Sequence, residues 1–338
     1  MRIDTTLLDK DLISSGDRAE AAEKVGHDTA WCTETGLDVF LQAYEVSRRT
    51  ESIGVGTAIA VALARTPMTV AYSAWNIAGV ADGRFTLGLG SQVKPHVERR
   101  YSMPWRSPVG QMREFVLALR AIWDSWATGE RLDFQGEYYT HTLMDPFWAP
   151  HPHEHRIPIY LAAVGPKMVE MAAEVADGIL LHSFVNQAYL EQVTWPAIQR
   201  GLEKSGRTID DLDISLPMFM AIGDTEEEQQ KQREQIAAQV GFYASTPSYR
   251  PVLDAIGHGD LQPELTALSK SKEWDRMAEI MPDDFIDHFS VTGRPEDVPG
   301  LVKNHLGDKV QRTSSYYGWP VDDPARLSSI FEAFRQEN

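Results

Sequence analysis

Residues 53–92 read IGVGTAIAVALARTPMTVAYSAWNIAGVADGRFTLGLGSQ, and this stretch decides the fold. The apolar, β-branched run Ser52–Ala60 predicts a strand that is buried on both faces. Pro67 opens the next segment, Met68–Val80, which has apolar residues at helical spacing, and proline suits a first helical turn. A second short strand, Phe85–Gly90, ends in Gly-Ser-Gln. The stretch therefore predicts a strand–helix–strand unit with a right-handed crossover.

The same alternation of strands and helices continues along the chain. The predicted strands are Met1–Leu7, Thr29–Thr33, Ser52–Ala60, Phe85–Gly90, Ile157–Val164, Gly178–Ser183, Ile214–Ile222 and Lys309–Tyr316. The predicted helices are Arg18–Val25, Val39–Arg49, Met68–Val80, Pro108–Thr128, Lys167–Val175, Gln187–Glu203, Glu226–Gly241 and Leu301–His305. Eight such repeats predict an α/β fold, a (β/α)8 TIM barrel, in preference to an open doubly wound sheet. We expect one domain over residues 1–338, with insertions on the carboxyl-terminal rim at about 131–156 and 242–288. The second insertion is expected to form part of a lid.

Composition limits the class of function. The chain has 32 basic and 49 acidic residues and a net charge of −17, so nucleic-acid binding through a broad basic face is not expected. No apolar run of about 18 residues is present, which predicts no membrane span. The first residues lack the basic and apolar regions of a signal peptide. Cys32 is the single cysteine, which excludes an internal disulfide and favours a cytoplasmic location.

The clearest chemistry follows the fifth predicted strand, because the strand ends of a barrel form one rim where ligands bind. Gly165 lets the backbone approach a ligand, and the free N–H groups at the start of the next helix can hold a phosphate, with added charge from Lys167. Ser91 is a similar, weaker candidate. Thr33 and Thr35 follow another strand end and are assigned to the same cofactor rim. The alternative for Gly165 is a turn that only joins strand to helix.

Two side chains are candidates for acid–base chemistry. Glu34 lies just beyond a buried strand, and His182 lies at the end of another. The alternatives are a salt-bridged carboxylate and a satisfied polar group. The histidines at 151, 153 and 155 cluster, but they lack partners at ligand spacing, so we expect a solvated loop and no metal site.

Five motifs resemble those of the bacterial luciferase-like monooxygenases, and within them the oxidoreductases that use the deazaflavin coenzyme F420. The motifs are DTAWCTETGLDVFL (28–41), IGVGTAIAVALARTP (53–67), GRFTLGLGSQ (83–92), IPIYLAAVGPKMVEMAAEVADGILLH (157–182) and VTGRPEDVPGLV (291–302). They occur in this order over nearly the whole chain. The resemblance implies a barrel whose rim holds a flat, isoalloxazine-like ring.

The resemblance also implies where the coenzyme contacts this chain. A non-proline cis peptide at Ala58–Ile59 is expected in a bulge that ends strand three and lies against the ring. The phosphate site implied by the resemblance consists of Ala163, Val164, Gly165 and Pro166, with Ser91 and Gln92 from strand four. Sugar-phosphate dehydrogenases of this branch have a glutamate where this chain has Val93, and an Asp-His pair where it has Glu34-Thr35. This difference argues against a sugar-phosphate substrate and leaves Glu34 and His182 as the candidate proton donors or acceptors.

The function implied by the resemblance is hydride transfer between C5 of F420 and a small organic substrate. One alternative is an FMN-dependent monooxygenase of the same fold that uses reduced flavin and oxygen. Another is a non-catalytic flavin-binding relative. By analogy we expect a homodimer that forms through helices near the second and third strands.

Overall fold

The computed structural model describes residues 1–282 and 284–336, without the side chain of Asp275. The strands, in chain order, are β1 (Arg2–Ile3), β2 (Thr5–Leu7), β3 (Thr29–Cys32), β4 (Gly54–Thr57), β5 (Ala60–Val61), β6 (Phe85–Gly90), β7 (Phe134–Gln135), β8 (Thr140–His141), β9 (Ile159–Ala162), β10 (Gly178–Leu180), β11 (Asp213–Ser215), β12 (Phe219–Ile222), β13 (Ser290–Gly293) and β14 (Arg312–Thr313).

The helices lie between these strands. They are α1 (Leu12–Val25), α2 (Val39–Arg49), α3 (Pro67–Val80), α4 (Pro108–Thr128), α5 (Pro166–Val175), α6 (Gln187–Tyr189), α7 (Trp195–Ser205), α8 (Glu226–Ala244), α9 (Arg250–Asp254), α10 (Leu261–Ser271), α11 (Trp274–Glu279), α12 (Val298–Leu306) and α13 (Pro324–Gln336). None of the helices in the described ranges combines the length and the apolar character that crossing a membrane requires.

The chain divides into two compact units. The amino-terminal unit consists of Asp4–Leu180 and Ile198–Asp213, and the carboxy-terminal unit of Met1–Ile3, Leu181–Ala197 and the chain from Ile214 onward. That residues 1–338 form one domain stays a prediction.

The amino-terminal unit is built on a parallel sheet with the strand order β2-β3-β4-β6-β9-β10. Helices follow β2, β3, β4, β6 and β9, which is the α/β class predicted from the sequence. Every residue of β3 is buried, as expected for a strand covered on both faces. The antiparallel pair β7–β8 forms a hairpin outside this parallel sheet, within the predicted insertion at 131–156.

Local sequence signals fix the helix ends in this unit. The Asp38 carboxylate accepts the Phe40 and Leu41 N–H groups at 2.9 and 3.1 Å and caps α2. Thr66 and Thr69 form a capping box at α3, with Pro67 in its first turn. Helix α1 begins six residues before the predicted start at Arg18, because Asp11 caps it through the Ser14 N–H at 2.8 Å.

In the carboxy-terminal unit, β1, β14 and β11 pair in parallel, and β12 pairs with β13. The predicted seventh strand, Ile214–Ile222, is wrong as one element. Pro217 lies between β11 and β12 and has no N–H to donate to a ladder, so the two pieces join different partners. The eighth strand is also shorter than the predicted Lys309–Tyr316, since only β14 and a bridge between Met218 and Ser315 are paired.

The predicted insertion at 242–288 consists largely of helices in the described residues. It contains the end of α8 together with α9, α10 and α11. Apolar side chains of these helices form one buried cluster with Phe184, Phe219 and Phe289. The insertion is therefore part of the packed core of the carboxy-terminal unit.

Candidate functional site

Four strand ends of the amino-terminal unit lie along one edge of its sheet. Cys32 of β3 is in register with Thr57 of β4, and Leu89 of β6 with Leu161 of β9. Because all these strands are parallel, Thr33, Ala58, Ser91 and Ala163 follow at their carboxyl ends. The structure thus brings together at one sheet edge the cofactor-site residues that the sequence placed in four separate motifs.

The peptide bond between Ala58 and Ile59 is cis, as the resemblance implied. It lies between β4 and β5, and the Ala58 N–H donates to the Cys32 carbonyl at 2.7 Å. A Cβ atom at Gly90 would lie 2.8 Å from Ile59 Cδ1, and one at Gly88 would lie 1.8 Å from the Thr57 carbonyl oxygen. The two glycines of β6 therefore leave the room that this segment occupies.

Thr57 is the last residue of β4 and lies at the strand end where the sequence predicts ligand binding, over Thr57–Ala60. Its hydroxyl donates to the Gly88 carbonyl at 2.7 Å and accepts the Gly88 N–H at 2.9 Å. This fully buried side chain joins β4 to β6 next to the cis peptide.

Glu34 is held on both of its oxygens. Oε1 lies 2.7 Å from Arg65 Nη2 and accepts the Tyr101 hydroxyl at 3.3 Å, while Oε2 accepts Arg65 Nη1 at 2.8 Å and the Val61 N–H at 2.7 Å. The Glu34 side chain is 6% exposed and that of Arg65 18%. Burial by itself would lower the pKa of Arg65, but the hydrogen bond and charge of Glu34 outweigh it and raise that pKa. The geometry is that of a buried ion pair that fixes the chain just after the cis bond.

The two threonines near Glu34 differ in what their hydroxyl groups contact. Thr33 is buried, and its hydroxyl donates to the Leu7 carbonyl at 2.8 Å. Thr35 is exposed, and its hydroxyl lies 3.5 Å from that of Thr33, while its carbonyl accepts from Arg100 at 3.3 Å. Thr35 is therefore the more available of the two for a ligand.

The turn from β9 into α5 is open. Residues 164–167 are exposed, and a Cβ atom at Gly165 would meet no atom within 4 Å. Gly165 is the N-cap of α5, Pro166 in its first turn has no N–H, and the Met168 and Val169 N–H groups both donate to the Gly165 carbonyl at 3.0 Å. The Lys167 N–H is therefore the donor of this first turn that has no partner among the described residues. Lys167 forms no ion pair in the described part of the chain. These features suit an anion.

Ser91 and Gln92 follow β6 beside this turn, since Ser91 continues the register that pairs Leu89 with Leu161. Gln92 has φ of 60°, a left-handed conformation that is uncommon for residues other than glycine. Its side-chain oxygen accepts the Val93 N–H at 2.9 Å, and the Ser91 hydroxyl donates to the Gln92 carbonyl at 3.1 Å. The chain therefore makes a tight turn at this strand end.

His182 belongs to the carboxy-terminal unit. Its Nδ1 accepts the Phe184 N–H at 3.0 Å, and its ring packs against Tyr243 and Tyr249. Burial lowers the pKa of His182 to about 4, so the imidazole is neutral at pH 7. Because Nδ1 already accepts the Phe184 N–H and the ring proton is therefore on Nε2, His182 is poorly suited to accept a proton from a substrate.

The histidine-rich segment is not the solvated loop that we expected. His153 stacks on Trp75 with ring centroids 4.1 Å apart, and its Nε2 lies 3.0 Å from the Trp75 carbonyl. His155 Nε2 lies 3.4 Å from Asp82. The segment is packed against α3 and the turn that follows it, an arrangement that spacing along the chain could not predict.

The chain is similar to known proteins over most of its length. The family described as luciferase-like monooxygenase matches residues 6–308. An uncharacterized protein of Mycobacterium tuberculosis is 42% identical over 302 residues, which cover 89% of each chain. A putative coenzyme F420-dependent oxidoreductase of the same organism is 29% identical over 294 residues, covering 81% of this chain and 82% of its own.

A solved structure supports the fold. The coenzyme F420-dependent tetrahydromethanopterin reductase of Methanopyrus kandleri superposes with a TM-score of 0.77 at 20% identity, covering 99% of this chain and 97% of its own. At this level of identity the likeness concerns the fold alone. The predicted α/β fold, a TIM barrel of the luciferase-like kind, is confirmed.

Proposed function

The chain belongs to the luciferase-like monooxygenase family, and we propose that it is a coenzyme F420-dependent oxidoreductase that transfers a hydride between the deazaflavin and a small organic molecule. One observation carries the proposal: the Ala58–Ile59 segment and the open turn at Gly165 follow strands of one parallel sheet, at its carboxyl edge. The F420-dependent name of a relative with 29% identity supports the choice of coenzyme.

The residues at this edge fit the parts of such a coenzyme. The Lys167 N–H in the first turn of α5, the turn at Ser91 and Gln92, and the charge of Lys167 would hold a phosphate. The Ala58–Ile59 peptide would lie against the ring. When bound, the deazaflavin supplies C5 as the centre that carries the hydride.

The protein's own residues hold this edge in place. Thr57 fixes β4 to β6, and Gly88 and Gly90 leave space for the segment between β4 and β5. Glu34 binds the Val61 N–H and Arg65 directly after the cis bond. We assign Glu34 to positioning this segment, because both its oxygens have donors, and its proposed role in proton exchange is thereby weakened.

A basic segment beside the site suits an anionic tail on the coenzyme. Lys94 contacts only Glu98, at 3.8 Å, and Arg99 has no ion pair among the described residues. In a chain with a net charge of −17, Arg99 without a carboxylate partner and Lys94 with a distant one attract an anion more than the rest of the acidic surface does.

The proposed assembly is a homodimer through the face formed by α1 and α2. Large apolar side chains are exposed there: Ile13 by 69%, Leu41 by 57% and Tyr44 by 43%. A second copy of the chain would remove this apolar surface from water. Sedimentation of the wild-type protein and of Leu41→Glu tests it, and an unchanged monomer in both would contradict it.

A cytoplasmic location is proposed from Cys32, which is free and buried. A lone unpaired thiol suits a reducing compartment.

The deciding experiment measures equilibrium binding of F420 and of FMN to the purified apoprotein by fluorescence. We expect micromolar or tighter binding of F420, on the order of 8 kcal/mol or more, and weak binding of FMN. The reverse order would make the chain an oxygen-using flavin enzyme. Binding of neither would contradict the placement of the cofactor at this edge.

A further inference from the structure

His182 has a ring N–H group that no protein atom accepts. Because Nδ1 accepts the Phe184 N–H at 3.0 Å, the proton of the neutral ring is on Nε2. Nε2 has no hydrogen-bond partner within the described residues, and it is accessible to solvent. A neutral imidazole in this tautomer can donate one hydrogen bond to a ligand.

Aromatic rings surround this N–H group. The His182 ring lies edge-on to Tyr243 with centroids 4.7 Å apart, and it is tilted by 31° to Tyr249 at 5.3 Å. Phe184 lies 5.2 Å from Tyr249 and 5.8 Å from Tyr243. Tyr243 and Tyr249 are half-buried, so part of each ring faces solvent. Both belong to the 242–288 insertion, which thus brings aromatic walls to the histidine.

The hydroxyl groups of the two tyrosines differ. The Tyr243 hydroxyl is hydrogen-bonded to the Tyr316 hydroxyl at 2.8 Å. The Tyr249 hydroxyl has no protein partner in the described part of the chain and, like His182 Nε2, is accessible to solvent. The cluster therefore offers two uncommitted polar groups on an otherwise apolar, aromatic surface.

Among the described residues, no charged side chain forms a hydrogen bond or ion pair with His182, Tyr243 or Tyr249. Burial sets the ionisation of His182, and burial together with Tyr316 raises the pKa of Tyr249 to about 12. Both groups are neutral at pH 7. An anionic ligand would find no cation here to offset its loss of hydration.

We infer that His182, Tyr243 and Tyr249 form a binding site for a neutral, flat organic molecule whose oxygen accepts the His182 Nε2–H hydrogen bond. A ketone or enone attached to an aromatic or cyclic skeleton has this chemistry. The inference concerns the carboxy-terminal unit alone and goes beyond the proposed function, because the binding of this molecule does not require the coenzyme. His182 acts on it as a hydrogen-bond donor and holds its oxygen.

The test compares two ligands that share a ring and differ in charge. Binding of acetophenone and of benzoate to the full-length protein is measured by saturation-transfer NMR, with and without F420. We expect saturable binding of acetophenone, and benzoate binding at least about 10-fold weaker because its carboxylate has no counter-ion. Equal binding of both ligands, or binding of benzoate alone, would overturn the inference.

A pair of variants assigns the hydrogen bond to one nitrogen. His182→Asn keeps an acceptor near Nδ1 for the Phe184 N–H but removes the Nε2 donor, and should weaken acetophenone binding by about 3- to 10-fold. His182→Gln places an amide N–H near the Nε2 position and should restore most of the affinity. His258→Asn, in the same unit but beside Phe285 and His288, is the matched control and should bind as the wild type does.

The outcomes separate this inference from the proposed function. Acetophenone binding that depends on His182 in a protein that does not bind F420 would support the site and reject the coenzyme. Tight F420 binding with no acetophenone binding, or with affinity unchanged in His182→Asn, would reject the site and leave the coenzyme assignment standing.

Discussion

Arg65 forms a bidentate ion pair with Glu34, with Nη2 2.7 Å from Oε1 and Nη1 2.8 Å from Oε2. The two residues are 31 positions apart, and both side chains are largely buried. The Val61 N–H donates to the same carboxylate at 2.7 Å. The pair therefore ties the end of β3 to the segment that follows the cis peptide.

Removing Arg65 should be costly for stability. Arg65→Ala leaves the Glu34 carboxylate buried without its main partner, and we expect the free energy of unfolding to fall by about 3 kcal/mol. Urea unfolding followed by circular dichroism measures it. Arg49→Ala is the control, since Arg49 contacts Asp17 and Glu20 at a more exposed position and should cost less. An equal loss in both variants would contradict the buried role of Arg65.

If a phosphate of F420 binds at Gly165, a negative charge added at this position should weaken F420 binding. Gly165→Asp places a carboxylate where a phosphate would bind, and should weaken F420 binding by at least about 10-fold. Gly165→Ala should fold as the wild type does, because a Cβ atom there meets no protein atom within 4 Å, and should weaken F420 binding less than Gly165→Asp does, because it adds no charge. Fluorescence titration measures both, and unchanged affinity of Gly165→Asp would place the phosphate elsewhere.

Gly88 should not tolerate a side chain. A Cβ atom there would lie 1.8 Å from the backbone oxygen of Thr57, so Gly88→Ala must displace β4. We expect a loss of about 1–3 kcal/mol in unfolding free energy, with weaker F420 binding because the adjoining Ala58–Ile59 segment moves. Thermal unfolding and cofactor titration test this together. Wild-type values in both would show that the two strands are less closely packed than described.

The protein should be less stable in mild acid, because His182 takes up a proton in the unfolded chain before it does so in the folded chain. Its ordinary pKa is 6.5 and burial lowers it to about 4, so between these values the unfolded chain takes up a proton that the folded chain does not. The contribution of His182 is present above pH 6.5 and is lost as the pH falls toward 4. We expect about 2 kcal/mol of loss between pH 7 and pH 5. Urea unfolding at both pH values measures it, and His182→Asn should be less sensitive to pH.

Cys32 should report unfolding. It is fully buried, and burial raises the pKa of its thiol, so the reactive thiolate is suppressed in the folded protein. We expect a thiol reagent to leave the native protein unlabelled and to label one site in urea. Rapid labelling of the native protein would mean that β3 opens readily.

Much of the fold could be predicted from the sequence, because its signals are local. The strand–helix–strand pattern of residues 53–92 and the proline and threonine at the start of α3 act over a few positions. The five motifs also located the cis peptide and the open turn at Gly165. The predicted bounds were wrong where a single residue overrides the apolar pattern around it. Asp11 caps α1 and makes the helix begin earlier, and Pro217 divides the predicted seventh strand.

The sequence by itself determined the order of strands and helices, the family and the strand ends where a cofactor would bind. Only the tertiary structure decided what the candidate side chains do. Glu34 is paired because Arg65 folds back onto it, and His182 is neutral because Tyr243 and Tyr249, more than 60 residues away in the chain, bury it. Burial and partners of this kind come from contacts between distant segments, which no local pattern records.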